Sequence, residues 1–489
     1  MCLQIDLDCH HGHQDDLLTY AQNKLRALEP TSRDRLISVI LFRARGTFLW
    51  LVYVICAVNT ESDRGHSQDV EAQMNAIPVV LTHLYEDAIF GRAPDDSRYL
   101  LPMLLWLAFA QRPLSTRELY LAVMFSTKKR SGAAVIDETR DSSRIERFIL
   151  DTTKGLTEIS PSNDKHVSFI QDTLKQYLQN SGISRLDNSK VENPVGLSHD
   201  LLKTRCLEYI LLAGRTLPGL VGSTPEWEQQ RRLCAMYPLL DYTLSEVVAH
   251  AELAQIHGVP QQSFVEAFPL DIVLSLWKVV YRYDEKGRAY SLTATKTYFF
   301  AFSGAPNLLR LELERKNARS GSQSSFHSSK SRENSAHDSE QGKWGHPLHA
   351  AISIHHFTCV KLLLGHGFDP NASGLYSTAL ETAIRYHWND MSILRLLLKR
   401  GADKNARRKT GKGDDKNPVL HAAIDDGSLE AVRVLVEYGA DIHTEGVDGM
   451  TALQHAKKWC VSRDPIIGYL IQREIQEAAS AELSSWTIV

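Results

Sequence analysis

The sequence predicts a mainly α-helical protein that ends in a repeat solenoid, and two observations carry that prediction. One short text recurs three times near the C-terminus: Leu348-His349-Ala350-Ala351 with Val360 to Leu364 and Gly367, Leu380-Glu381-Thr382-Ala383 with Leu394 to Leu398 and Gly401, and Leu420-His421-Ala422-Ala423 with Val432 to Val436 and Gly439. Recurrence at about 33 residues is the signature of a stacked array, and it points to binding rather than chemical conversion. Ahead of it, residues 1–310 place apolar side chains at three- and four-residue spacing between polar faces, the period of amphipathic helices.

From the N-terminus, helices are expected over residues 15–28, 33–58, 70–90, 97–110 and 116–125, with breaks at Pro30, Pro94 and Pro113, because proline lacks the amide donor that a helix interior needs. The most apolar stretches, 47–58 and 100–110, fall short of the roughly 20 residues that cross a bilayer, so they read as buried helices and no membrane span is expected.

Three segments within this half occur in a fixed order: Ala44-Arg45-Gly46-Thr47-Phe48-Leu49-Trp50, Ile77 to Glu86, and Leu104 to Ser115 followed by Thr116-Arg117-Glu118-Leu119. Together they resemble the tail of the fungal NACHT-type (STAND) signalling NTPases, where the first closes the nucleotide-binding module, the second follows it, and the third opens a winged-helix-like domain of the GPI inositol-deacylase type. The resemblance implies two wing strands over 155–159 and 167–170 and a following helix over 171–178, although Gln171 and Thr173 stand where the family has His and Ser. It also implies that Tyr237 to Ala251 is the helical layer leading to the repeats. The family's engine needs a Gly-x-x-x-x-Gly-Lys-Ser/Thr loop to cradle phosphates. The sequence has no such loop: Thr410-Gly411-Lys412-Gly413 lacks the first glycine and precedes no helix. The chain therefore reads as the C-terminal portion of a larger architecture, with no catalytic residues, cofactor or nucleotide hydrolysis of its own.

With 489 residues, 43% hydrophobic and 23% charged, the chain has the composition of ordinary globular domains, and a net charge of -3 gives no general attraction for nucleic acid. Seven scattered cysteines with no Cys-x-x-Cys fit a reducing compartment, and cytoplasmic residence is expected, with the nucleus as the alternative. Cys9-His10-His11-Gly12-His13 fits no closed metal site, and neither His83 with Glu86 nor His250 with Glu246 has a nucleophile beside it. A DNA-reading helix over 116–125 would offer only Arg117, so no nucleic-acid partner is expected. Residues 316–345 are Ser-rich and poor in aliphatic residues, which predicts a disordered linker, either a spacer or a phosphorylation target.

In each repeat, alanines let a first short helix approach its neighbours and the Leu/Val run gives a second helix its apolar face. Gly367, Gly401 and Gly439 follow that second helix, where a left-handed residue is needed. These units resemble the ankyrin repeat over residues 346–472, with Leu348, His349, Ala351, Gly367, Leu380, Ala383, Gly401, Leu420, His421, Ala423 and Gly439 at motif positions. Glu381 replaces the motif histidine in the second unit, and 40 residues separate Leu380 from Leu420, because an insertion over Arg407 to Lys416 with five basic and two acidic residues elongates one finger. The fourth unit, Thr451 to Ala456, loses its glycine turn and reads as a polar cap. Thr297 to Leu311 looks like a worn unit ahead of the linker.

The expected division is a helical tail over 1–95, a winged-helix-like domain over 96–185, a helical connector over 186–315, the linker over 316–345, the repeats over 346–475 and a tail over 476–489. Inner-helix ends and finger tips of such arrays contact protein partners. The candidates are Ile354, His355, His356, Tyr376, Tyr386, His387, Trp388, Arg407, Arg408, Lys409, Asp425 and Asp426, with Trp388 equally readable as an interhelical packing residue. Two functional readings stand: a protein-interaction module that serves as the docking or sensor surface of a NACHT-like signalling protein, or the regulatory half of a STAND ATPase.

Overall fold

Prolines and short polar caps set where the helices begin, and burial sets what they face. The computed structural model describes residues 11–25, 30–44, 50–52, 54–55, 58–59, 94–127, 141–153, 155–162, 164–182, 193–281, 294–321, 345–372, 374, 378–386, 390–407, 417–459 and 464–486. The chain divides into two compact units, one of residues 1–215, 231–250 and 257–259, the other of 216–230, 251–256 and 260–489. Among the described residues no helix is long and apolar enough to cross a membrane.

In the first unit, α1 (His11–Lys24) contacts α2 (Pro30–Ala44). The helix expected to reach residue 28 ends at Lys24, with Leu25 already outside it. Described residues between 50 and 59 are helical and bury Trp50, Leu51, Val52, Val54, Ile55 and Val58. The helix expected over 70–90, with its Ile77 to Glu86 text, lies outside the described residues. α3 (Pro94–Phe109) starts on its proline, three residues before the expected start, because a first-turn amide has no intrahelical acceptor to lose.

β1 (Leu114–Ser115) runs straight into α4 (Thr116–Thr127), followed by α5 (Ser142–Thr153), β2 (Thr157–Ile159), β3 (His166–Phe169) and α6 (Asp172–Tyr177). The strands form an antiparallel sheet in the order β1-β3-β2, with Leu114 opposite Val167 and Thr157 opposite Phe169. Ser115 and Glu118 form a capping box: the Glu118 carboxylate accepts from the Ser115 amide at 2.9 Å, and the Ser115 hydroxyl accepts from the Glu118 amide at 3.3 Å. Arg112 grips the same carboxylate at 2.7 and 3.2 Å, reaches Asp241 at 2.9 Å and lies over the Tyr242 ring. α4 buries Thr116 and Glu118 through Met124, so its side chains build a core and not a groove-reading face.

α7 (Pro194–Ser223), α8 (Glu226–Met236) and α9 (Leu240–Ile256) follow. Within the first unit their aromatic side chains meet edge to face, Trp106 with Tyr242 at 5.7 Å and Tyr209 with both Phe125 and Tyr237.

The second unit stacks helix pairs. α10 (Gln262–Ala267) and α11 (Leu270–Val280) precede α12 (Lys296–Phe302) and α13 (Pro306–Gly321). Glu252 caps α13 by accepting from the amides of Asn307 and Leu308, each at 3.0 Å, where a carboxylate also meets the positive end of the helix dipole. α13 runs into the stretch expected to be linker: Lys316 bonds the Thr297 hydroxyl at 2.7 Å and helical structure continues to Gly321, because these polar residues find partners at the end of an already committed helix. Residues 322–344 lie outside the described residues. Next come α14 (Pro347–Ser353), α15 (Phe357–Gly365), α16 (Ala379–Tyr386), α17 (Ser392–Lys399), α18 (Val419–Asp425), α19 (Leu429–Glu437), α20 (Ala452–Trp459) and α21 (Asp464–Trp486). α12 contacts α14 and α13 contacts α15, so the worn unit stacks directly on the first full repeat.

A buried polar chain in the first unit has a consequence for acid stability. The Gln111 amide donates to the Tyr242 hydroxyl, which stands 2.9 Å from His250 Nε2, and His250 Nδ1 lies 3.0 Å from His199 Nδ1. Both nitrogens of His250 are thus taken, which removes it from any pairing with Glu246 for catalysis. Burial, helped by His257, lowers His199 to about 4, and burial, helped by His199, lowers His250 to about 3. Depressed folded values mean that the unfolded chain takes up protons first. This stabilisation is full above the ordinary histidine value near 6.5 and is lost as pH falls toward about 4, at up to about 1.4 kcal/mol per pH unit for each ring. Hydrogen exchange of α9 should therefore speed up markedly between pH 7.5 and pH 5 after correction for intrinsic rates. His199→Gln, which keeps an acceptor but removes one titration, should roughly halve that loss.

Candidate partner-binding surface

Each full repeat runs finger turn, inner helix, junction, outer helix. α14, α16, α18 and α20 are the inner helices, and α15, α17, α19 and α21 the outer ones. Gly367, Gly401 and Gly439 end outer helices at φ 86°, 87° and 82°. Their amides bond three residues back and the next residue's amide five back, as in Ala402 to Leu397 at 3.0 Å, which satisfies the last carbonyls. Asp369, Asp403 and Asp441 then accept from the amide two residues on at 2.8, 2.9 and 2.8 Å, a repeated Asx turn. Asn371 accepts from Asp403 of the next repeat at 2.7 Å, and Asn405 accepts from Asp441 at 3.0 Å.

The motif histidines work with finger glycines. A Cβ on Gly374 would stand 2.6 Å from the His349 ring, and one on Gly446 3.2 Å from the His421 ring, whose Nε2 donates to the Met450 carbonyl at 3.0 Å. In the second repeat Glu381 fills the histidine slot, 1% exposed and bonded to Arg385 at 3.0 Å. The finger that follows is the one with the insertion, of which residues 408–416 lie outside the described residues.

The candidate residues fall on two edges. Fingers precede an inner helix and junctions follow it, and seven or eight helical residues set the two about 10–12 Å apart. Ile354, His355, His356, Tyr386, Asp425 and Asp426 lie at the junction edge. Arg407 lies at the finger edge, pairs with Pro418 across a β-bridge and donates to the Glu445 carbonyl at 3.1 Å. Tyr376, His387, Trp388, Arg408 and Lys409 lie outside the described residues. Leu348, Ala351, Leu380, Ala383, Leu420 and Ala423 are buried in the stack.

The junction edge carries the exposed chemistry. Ile354, Phe357 and Tyr386 are 37%, 41% and 42% exposed. His356 instead faces inward: its Nδ1 caps α15 at the Cys359 amide, and its ring lies where a Cβ on Gly304 would stand at 2.9 Å. His355 has φ 57°, in the slot that Gly304 and Gly427 fill at 66° and 70°. Its Nε2 bonds Asp390 of the next repeat at 2.7 Å. The Ser392 amide, and then His355, hold the Asp390 carboxyl below the usual carboxylate range. His455 Nε2 reaches Asp425 at 2.8 Å, joining the third repeat to the fourth. Sequence reading had passed over Phe357, Arg385, Asp390, Lys457 and Lys458 on this edge. Aligning the units on their junctions, and not only on their leucines, is the signal that finds them. Among the described residues no group of three His, Cys, Asp or Glu side chains is placed to hold a metal ion.

Comparison with known proteins agrees with this geometry. The family description "Ankyrin repeats (3 copies)" matches residues 318–408, and "Ankyrin repeat" matches residues 415–444. The C-terminal part of the chain carries ankyrin repeats. Ankyrin repeat and SOCS box protein 11 of Danio rerio is 32% identical over 143 residues, which is 29% of this chain and 44% of that protein. The match to the three-copy family begins inside α13, ahead of the first full ankyrin repeat.

The strain at His355 is separable from its hydrogen bond. A left-handed L-residue costs about 1–2 kcal/mol, and a solvent-exposed side-chain contact such as His355 to Asp390 returns about 0–1 kcal/mol. His355→Gly should leave the urea midpoint of the ankyrin array unchanged or raise it, whereas His355→Ala, which keeps the strain and loses the bond, should lower it.

Proposed function

We propose that this chain is a protein-interaction module whose ankyrin array docks a protein partner along the junction edge, as the sensor surface of a NACHT-like signalling protein in the cytoplasm. The observation that carries the reading is the set of exposed Ile354, Phe357 and Tyr386 side chains on neighbouring repeats whose inner helices bury Pro347–Ile352 and Ala379–Ile384. Large apolar and aromatic groups of this kind anchor protein partners. The signalling context is supported by the three ordered motifs of the first half, and by the joint use of Arg112, Ser115 and Glu118 from the third motif in one hydrogen-bonded network beside a three-stranded sheet. That arrangement supports a winged-helix-like reading of residues 96–185.

A photo-crosslinking amino acid at Tyr386 of the full chain, expressed in its own cells, should capture a defined protein. Ile354→Asp should cut capture at least about tenfold, the equivalent of 1.4 kcal/mol. Capture that ignores Ile354→Asp would remove the junction edge from the reading. The same motif order favours a second reading, the regulatory half of a STAND ATPase. Sequencing the transcript upstream of the Met1 codon tests it: an open frame with a Gly-x-x-x-x-Gly-Lys-Ser/Thr loop supports it, and a transcript without one removes it.

A further inference from the structure

The inner helices place equivalent residues at the same height in successive repeats. Counting five and six positions on from Leu348, Leu380 and Leu420 gives Ser353 and Ile354, Arg385 and Tyr386, then Asp425 and Asp426. Five positions on from Leu453 stands Lys458, with Lys457 beside it, both exposed in the last turn of α20. The inner helices lie side by side, α14 against α16, α16 against α18 and α18 against α20. The His355 to Asp390 and His455 to Asp425 bonds tie neighbouring repeats together along this line. The row therefore has an order: apolar and aromatic over the first two repeats, acidic at the third, basic at the fourth. Arg385 does not break it, because its charge is spent on Glu381 at 3.0 Å. Glu430, at the start of α19, is paired with Arg433 in the same way and adds no charge to the acidic step.

We propose that this row is a docking track for an extended partner segment that presents an apolar side chain, then a Lys or Arg, then an Asp or Glu, at three-residue intervals. The partner follows from charge complementarity and spacing. Packed helices stand about 8–10 Å apart, so the step from Tyr386 to Asp426, six positions on in each helix, and the step from Asp425 to Lys458, five positions on in each, are of that size. A polyproline-II segment rises about 3.1 Å per residue with three residues per turn, so positions i, i+3 and i+6 share one face about 9 Å apart. An apolar residue then meets Ile354, Phe357 and Tyr386, a cation three residues on meets Asp426, next to the Asp425 that is bonded to His455, and an anion three further meets Lys457 and Lys458. Charge order of this kind sets register and direction more than affinity. The proposal rests on the protein-binding reading above and specifies its partner.

The test uses a phage-displayed library of random 12-residue peptides, selected against the immobilised full chain, against Asp426→Lys and against Lys457→Glu with Lys458→Glu. The wild type should enrich peptides with apolar, basic and acidic residues at three-residue intervals. Asp426→Lys should change the middle preference to acidic and weaken a wild-type-selected peptide at least about tenfold, and reversing that peptide's middle charge should restore it. The double Lys variant should change only the last preference. Circular dichroism checks that each variant folds, and Asp426→Asn with a neutralised preference replaces Asp426→Lys if that variant does not. Peptides whose charges ignore every variant would overturn the track and leave protein binding standing. A library that enriches nothing would overturn both.

Discussion

A helix pair as short as α16 and α17 cannot bury its own apolar face, and every other property of the ankyrin array follows from the need to lend that face to a neighbour. Ile393, Leu394, Leu397 and Leu398 are all buried although their helix has only eight residues. Burial on that scale needs pairs held in register, and the register comes from polar staples at the finger side. Asn371 and Asn405 each reach the next repeat's Asp amide, and Lys404 donates to the Tyr438 carbonyl at 3.0 Å. The left-handed glycines that close the outer helices aim the chain at those staples. Local backbone geometry and long-range stacking are thus one constraint seen at two scales.

The first unit solves a different problem, joining a short sheet to a helix whose sides are nearly all buried. Its answer is a half-buried cation. Arg112 sits between Glu118, which is also the N3 residue of a capping box, and Asp241 on α9. Such pairs add little net stability but strongly penalise arrangements that separate them. Because Arg112 also lies over Tyr242, whose hydroxyl continues to His250 and His199, the charged network and the neutral one meet at a single ring.

Much of this was legible in the sequence, and the failures share a cause. The repeats could be read because each demands the same backbone at the same place, as with the glycines at φ 86°, 87° and 82°. Boundaries near Pro30 and Pro94 were legible because proline acts locally, but the prolines were read as breaks, and both helices start on them, three residues ahead of the expected 33 and 97. What could not be read depended on partners distant in sequence. α13 extends into the Ser-rich stretch because Lys316 finds Thr297, which composition cannot report. His199 and His250 are 51 residues apart, so helical spacing suggested Glu246 as the partner of His250 instead. The candidate contacts formed one list because a linear text does not show that an inner helix separates its finger from its junction.

That separation also explains where recognition chemistry can sit. Close stacking needs small residues along the inner helices, so Ala350, Ala351, Thr382, Ala383, Ala422 and Ala423 leave little side chain to vary. Variation is pushed to the ends, and at the finger end the motif histidines and Asn staples already occupy the polar groups. The junction end carries no such demand beyond one left-handed residue. There the first repeat departs from the glycine that stands in the worn unit and in the third repeat, accepting strain at His355 to place an imidazole on Asp390 between the exposed residues Ile354 and Phe357. A strained residue persists only when its surroundings over-determine it, and here the two helices that flank His355 and its bond to Asp390 of the next repeat do so.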